Sequence, residues 1–102
     1  MEVKMEDIIM NLVVNSGEAR SKAMEAIGEA KKGAFDQARL LLDEAETSLL
    51  KSHDYQMNLI CAEAGGEQIP MSLIMVHGQD HLMNAMVILD LAKEFVELYE
   101  RQ

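Results

Sequence analysis

Cysteine, proline and aromatic residues are scarce in this chain of 102 residues. Cys61 is the single cysteine, which excludes a disulfide within the chain and a metal site made of several thiolates. One proline and six glycines leave few positions for turns. With no tryptophan, two tyrosines and two phenylalanines, the core must be filled by Ala, Leu, Ile and nine Met, which favours helices over sheets.

Positive charge is also scarce, and the formal net charge is −9. A nucleic-acid partner is not expected, because phosphate binding needs a basic surface, and the same argument disfavours an anionic membrane. A basic protein partner is compatible with this charge. Residues 1–7 are acidic, and no apolar segment is long enough to span a bilayer. Only one cysteine is present, which fits a reducing compartment. We therefore predict a cytoplasmic protein without direct membrane insertion.

Helical periodicity of the apolar residues predicts three helices, near residues 4–32, 35–63 and 71–98. Gly33 is placed to end the first helix, and Ser72 to cap the start of the third. Short connections between long helices indicate an all-α, up-down-up antiparallel bundle, which we treat as a single domain covering residues 1–102. His53 lies near the apolar stripe of the second helix and is predicted to be a half-buried structural residue.

A polar motif interrupts the most apolar segment of the chain, residues 76–83, which read Val-His-Gly-Gln-Asp-His-Leu-Met. His77, Asp80, His81 and Asn84 fall on one helical stripe. That stripe also carries apolar residues, namely Leu73, Ile88, Leu91, Phe95 and Tyr99. The pattern therefore predicts that the four polar residues, called the quartet below, point into the core, where polar groups are costly unless they are paired or bind something.

The first half of the third helix is apolar nearly all round, which predicts that it packs against another subunit as well as its own bundle. Asn15 lies on the apolar stripe of the first helix and is expected to face the quartet. Gly17, two residues on, is either a tolerated local weakness of the helix or a point where another backbone or a ligand comes close.

Three interpretations of the quartet remain open from the residues alone. It is a hydrogen-bonded core network in a non-catalytic helical adaptor. Alternatively, His77-x-x-Asp80-His81 is the site of a small metal-dependent hydrolase, since it resembles the H-x-x-E-H arrangement of inverted zincins with a shorter acid. In the third interpretation a histidine is a nucleophile that carries a phosphoryl group. Gln79 and His81 would then donate hydrogen bonds to the phosphoryl oxygens, and Gly78 would leave room for a partner protein.

The motif resembles the signature of the lactose/cellobiose class of phosphotransferase-system enzyme IIA, which reads approximately V-H-A-Q-D-H-L-M. Asn15-Ser16-Gly17-Glu18-Ala19-Arg20 matches the family's N-S-G-E-A-R stretch, and Glu97-Leu98-Tyr99 is similar to its C-terminal ending. The matching stretches occur in the same order as in the family, and the likeness covers almost the whole chain. One departure is Gly78, which stands where the family usually has alanine.

This resemblance implies a three-helix bundle that assembles as a homotrimer, with His77 phosphorylated to a tele-phosphohistidine. It also implies that Asp80 binds a divalent cation shared at the trimer axis, for which oxygen ligands suit Mg²⁺. The supporting role of Gln79 and His81 beside His77 rests on their hydrogen-bonding groups and not on the resemblance. The implied partners are HPr as phosphoryl donor and enzyme IIB, through a cysteine of its own, as acceptor, with enzyme IIC involved indirectly. The implied substrate is a β-linked disaccharide of the lactose, cellobiose or chitobiose class, and the sequence does not select one of them.

Overall fold

Three long α-helices run in alternating directions and form one elongated bundle of 51 × 21 × 21 Å. In the computed structural model, which describes residues 5–102, α1 spans Met5–Lys31, α2 spans Phe35–Ala64 and α3 spans Leu73–Glu100. The predicted all-α, antiparallel three-helix fold is confirmed, and the helix ends agree with the periodicity to within a few residues. The predicted start of the first helix near residue 4 lies outside the described residues.

Local chemistry sets where the helices end. Gly33 and Gly66 follow α1 and α2 with φ of +83° and +104°, a left-handed conformation that ends helices and favours glycine. At the start of α3, the backbone N–H of Met75 donates to the Ser72 hydroxyl over 3.2 Å, as predicted for a capping serine. The bond to Ser72 satisfies one of the backbone N–H groups that the first turn of α3 leaves unpaired.

Small side chains dominate the core and bring the helices close together. The inward face of α1 is largely alanine, and the inward face of α3 carries Gly78, Ala85 and Ala92 among larger residues. The buried apolar residues form two clusters, one toward each end of the bundle. The cluster beside the polar motif is the smaller, and it consists of Ile9, Leu12, Leu59, Met75 and Leu82.

The two halves of the bundle are joined by different polar contacts. In the half near Gly33, ion pairs link the helices: Lys22–Glu44 at 3.1 Å, Arg39–Glu100 at 2.7 Å and Lys93–Glu46 at 2.8 Å. In the half that carries the polar motif, neutral side chains link the helices. The Ser16 hydroxyl donates to the buried Ser52 hydroxyl over 2.9 Å, and the Gln56 amide donates to Gln79 over 2.8 Å.

Gly78 faces the neighbouring helix, and not a partner protein. It is buried, and a methyl group placed on it would lie 3.5 Å from Cβ of Leu12 and 3.8 Å from Cγ2 of Ile9. The expectation that Gly78 leaves room for an approaching partner is therefore wrong, because its open side is turned toward α1. The distances are ordinary van der Waals contacts, so an alanine fits here without displacing its neighbours.

Gly78→Ala is expected to raise the free energy of unfolding by about 1 kcal/mol, because glycine inside a helix costs that much relative to alanine. Gly28→Ala is a matched control, since Gly28 lies inside α1 with no atom within 4 Å of an added Cβ. Urea titration should show similar gains for both variants. A loss of stability in Gly78→Ala alone would mean that α1 and α3 pack too tightly to admit a methyl group.

Candidate functional site

The quartet lies on the outside of the single chain. His77, Asp80 and Asn84 are exposed and His81 is half-buried, so the expectation that these residues point into the core of one chain is wrong. The inward face of α3 is displaced by about 100° around the helix axis. It is formed by Met75, Gly78, Leu82, Ala85, Leu89, Ala92 and Val96. Gly78, Ala85 and Ala92 of this face are small and pack closely on the alanines of α1. This close packing determines which apolar stripe of α3 faces the core.

His77 and His81 form a contact between their imidazoles on one exposed surface of α3. Their Nε2 atoms are 2.9 Å apart, and the rings meet edge to face with centroids separated by 4.4 Å. The spacing of four residues brings them together because such residues are stacked on one helix face. Two nitrogens at this distance share one hydrogen, so one imidazole donates and the other accepts.

Asp80 lies on the same face and is exposed. The Asn84 amide donates to one of its carboxylate oxygens over 3.2 Å, again between residues four apart. The second oxygen has no hydrogen-bond donor among residues 5–102. The carboxylate is therefore held by one neighbour and still has capacity to bind a cation or a donor from outside the chain.

Gln79 faces α2, on nearly the opposite side of α3 from His77. Its amide oxygen accepts from Gln56 over 2.8 Å, and its nitrogen is 3.6 Å from the sulfur of Met75. Within one chain, therefore, His81 contacts His77 and Gln79 does not. The supporting role assigned to Gln79 stays a prediction. The sequence pattern does not distinguish Gln56, because it falls on the inward stripe of α2 like its apolar neighbours.

Asn15 does not face the quartet, contrary to expectation. Its amide donates to the backbone oxygen of Asn11, and the residue lines a polar groove between α1 and α2. The periodicity placed it near the inward face of α1, but the buried position there is Ser16. Gly17 has no atom within 4 Å of an added Cβ, so within the chain it is a tolerated weakness of the helix.

Large apolar side chains surround the quartet and are exposed in the single chain. Leu73 is 87% exposed, Val87 57% and Val76 50%. Met83, Leu91, Phe95 and Leu98 are also exposed. An apolar face of this extent on one helix is typical of a protein contact. The packing of this face against another subunit stays a prediction.

A metal ion has too few ligands within one chain. Among residues 5–102, no three His, Cys, Asp or Glu side chains are grouped so as to hold one. A hard cation such as Mg²⁺ prefers about six oxygen ligands. The exposed Asp80 carboxylate is the correct kind of ligand for such an ion, but it fits a site only where several copies of it are brought together.

Comparison with known proteins decides between the interpretations. Residues 7–100 match the family model described as the PTS system, Lactose/Cellobiose specific IIA subunit. The chain belongs to this family. It is therefore a component of a phosphotransferase, as the resemblance predicted. None of the helices within residues 5–102 has both the length and the apolar character needed to cross a bilayer.

Three relatives illustrate the similarity. The Lichenan-specific phosphotransferase enzyme IIA component of Bacillus subtilis strain 168 is 52% identical over 101 residues, which cover 99% of this chain and 92% of that protein. The crystal structure of the PTS Cellobiose Specific Enzyme IIA from Bacillus anthracis superposes with a TM-score of 0.93 at 42% identity, covering 99% of this chain and 93% of that chain. The IIA(Chitobiose)–HPr complex of the Escherichia coli phosphotransferase system gives a TM-score of 0.83 at 38% identity, covering 98% of this chain and 97% of that chain.

Family membership disfavours the two alternative interpretations. A silent adaptor with a buried polar network does not fit, because three members of the quartet are exposed and the fourth is half-buried. A small hydrolase built on His77, Asp80 and His81 would need a metal held within the chain, and the described residues offer no such group of ligands.

Proposed function

We propose that this chain is the IIA phosphocarrier of a sugar phosphotransferase system, and that His77 accepts a phosphoryl group from phospho-HPr. The group then passes to a cysteine of enzyme IIB, for uptake of a β-linked disaccharide through enzyme IIC. The observation that carries the proposal is the exposed His77–His81 pair in a chain whose residues 7–100 match the IIA family. A similar fold in the Escherichia coli IIA(Chitobiose)–HPr complex supports HPr as the partner.

The imidazole contact assigns roles to the two histidines. For His77 to attack phosphorus through Nε2, that nitrogen must keep its lone pair, so the shared hydrogen belongs to His81 Nε2 and the hydrogen of His77 is on Nδ1. As phospho-HPr approaches, His81 turns aside and donates to a phosphoryl oxygen instead. A bond forms between His77 Nε2 and phosphorus as the donor's phosphorus–nitrogen bond breaks, and the electron pair of that bond remains with the donor imidazole.

The experiment that tests this function uses the chain with phosphoenolpyruvate, enzyme I and HPr. One acid-labile, base-stable phosphate per chain is expected, because phosphorus bound to an imidazole nitrogen is lost in acid. Enzyme IIB should then discharge it. A chain that stays unlabelled while HPr is fully phosphorylated would refute the proposed carrier function.

We also propose that three copies assemble with Asp80 at the threefold axis, where the carboxylates share a divalent cation. Support comes from the exposed apolar face around Asp80 and from the free oxygen of its carboxylate. Three carboxylates brought close together repel one another, and a cation such as Mg²⁺ removes that repulsion. The proposed metal is structural and takes no part in phosphoryl transfer.

HPr binding is expected to weaken as salt rises. The chain carries a net charge of −9, so the proposed partner surface is basic and rim charges speed the encounter. Between ionic strengths of about 0.01 M and about 0.15 M, the Debye length falls from about 30 Å to about 8 Å. Titration calorimetry should show affinity falling several-fold across this range, and an affinity that is flat or rises would contradict the electrostatic account.

The sugar and the compartment follow from the proposed system. Relatives are named for lichenan, lactose, cellobiose and chitobiose, which supports a β-linked disaccharide as the proposed substrate class. The site contains no element that selects among them, because in this system the sugar is bound by the membrane component. A cytoplasmic location is proposed, since HPr and enzyme IIB act there.

A further inference from the structure

A polar groove lies on the surface between α1 and α2, and no residue of α3 lines it. It is lined by Asn11, Asn15, Lys51, Asp54, Tyr55 and Asn58 and has a volume of about 470 Å³. This volume lies within the range of about 300–1,000 Å³ that is usual for small-molecule sites. We call it the α1–α2 groove. Neither His77 nor His81 lines it, and the proposed phosphoryl transfer does not use it.

The amides of the groove have unused hydrogen-bonding capacity. The nitrogen of Asn11 donates to the backbone oxygen of Asp7 over 2.8 Å, and that of Asn15 donates to the backbone oxygen of Asn11 over 2.9 Å. These bonds fix both amides on α1, while their carbonyl oxygens accept from no group within residues 5–102. The Asn58 amide, on the opposite wall, likewise has no side-chain hydrogen bond within the described part of the chain.

The charges of the groove are balanced but not paired with each other. Lys51 and Asp54 are one turn apart on α2, and neither forms an ion pair within residues 5–102. Most other cations among residues 5–102 do pair with carboxylates, namely Lys22, Lys32, Arg39, Lys93 and Arg101. The groove therefore offers one charged donor and one charged acceptor with no net charge, which favours an uncharged polar ligand over an ion.

Buried hydrogen bonds hold α1 and α2 together beside the groove. The Ser52 hydroxyl donates to the backbone oxygen of Leu12 over 3.1 Å and accepts from Ser16 over 2.9 Å, and both serines are fully buried. These bonds join α2 to α1 within a residue or two of Asn11 and Asn15 along α1. Sites on rigid elements hold their polar groups in place without a further ordering cost when a ligand binds.

We propose that the α1–α2 groove binds an uncharged saccharide of one or two sugar units. Each sugar hydroxyl both donates and accepts, which matches amides, a carboxylate and an ammonium group set on two facing walls. The ring of Tyr55 supplies an apolar surface for the C–H face of a sugar. A sugar phosphate is disfavoured because Asp54 lies beside the one cation, Lys51.

Two-dimensional ¹H–¹⁵N NMR of the full chain, titrated with cellobiose, tests the proposal. Saturable shifts are expected in the side-chain amides of Asn11, Asn15 and Asn58. Glucose 6-phosphate is the second probe, and it should bind more weakly. Shifts that do not saturate at millimolar sugar, or that scatter over the surface, would overturn the proposal, as would tighter binding of the phosphorylated sugar.

Variants complete the test. Asn58 is exposed, so Asn58→Ala should fold normally and lower the affinity for cellobiose by about tenfold, since one polar contact is lost. Gln37→Ala, an exposed amide on α2 outside the groove, should leave affinity unchanged. Equal affinity in Asn58→Ala and the natural chain would refute the site. Phosphorylation of Asn58→Ala by HPr should be normal, so the outcome is independent of the proposed carrier function.

Discussion

Replacing His77 by alanine is expected to abolish phosphorylation of the chain by enzyme I, HPr and phosphoenolpyruvate. Alanine has no nucleophile, and His81, the imidazole that contacts His77, is assigned as a hydrogen-bond donor and not as the acceptor of the phosphoryl group. The fold should be unaffected, because His77 is exposed and contributes nothing to either core cluster. Incorporation of ³²P, followed on a gel run at alkaline pH, measures the loss.

The other two histidines are the matched controls. His53 is half-buried on α2 in a groove with Met86 and Asp90, as predicted for a structural histidine, and His53→Ala should be phosphorylated normally. His81→Ala should still accept the group, about 10- to 100-fold more slowly, because one hydrogen bond to a charged oxygen is lost. Normal labelling of His77→Ala, or no labelling of His81→Ala, would mean that His81 is the phosphorylated residue.

Changing Asp80 should have opposite effects on assembly according to the charge that is introduced. Asp80→Leu removes the carboxylate repulsion and the need for a cation together, so this variant should stay trimeric in chelator and still accept phosphate on His77. Asp80→Lys would place three cations at the axis, where two charges about 4 Å apart repel by about 4 kcal/mol at an effective dielectric constant of 20. That variant should dissociate.

Sedimentation of each variant with and without chelator checks this prediction. Asp43→Lys is a suitable control, because Asp43 lies on the solvated face of α2 and the charge change is the same. It should sediment like the natural chain. A monomeric Asp80→Leu protein or a trimeric Asp80→Lys protein would contradict the axial arrangement of Asp80.

The sequence predicts the helices of this fold well because their signals are local. The apolar spacing, the glycine after α1 and the serine before α3 each act within a turn or two of the chain, and the structure contains them as expected. The histidine pair is equally local, since residues four apart on a helix must be neighbours.

The orientation of α3 was not predictable in the same way. Its first half is apolar over most of its circumference, so periodicity alone does not select the face that packs inward. That choice depends on Gly78, Ala85 and Ala92 fitting the alanines of α1, which is a property of two surfaces together. The contact of Gln56 with Gln79 depends likewise on the register between antiparallel helices.

The most direct test of the account is the position of the phosphoryl group on the phosphorylated chain. ¹⁵N and ³¹P NMR of histidine-labelled protein, prepared with enzyme I, HPr and phosphoenolpyruvate at alkaline pH, resolves both the residue and the nitrogen. We expect a single phosphorus coupled to Nε2 of His77, with His81 and His53 unmodified. Phosphorus on Nδ1 of His77, or on either nitrogen of His81, would contradict it.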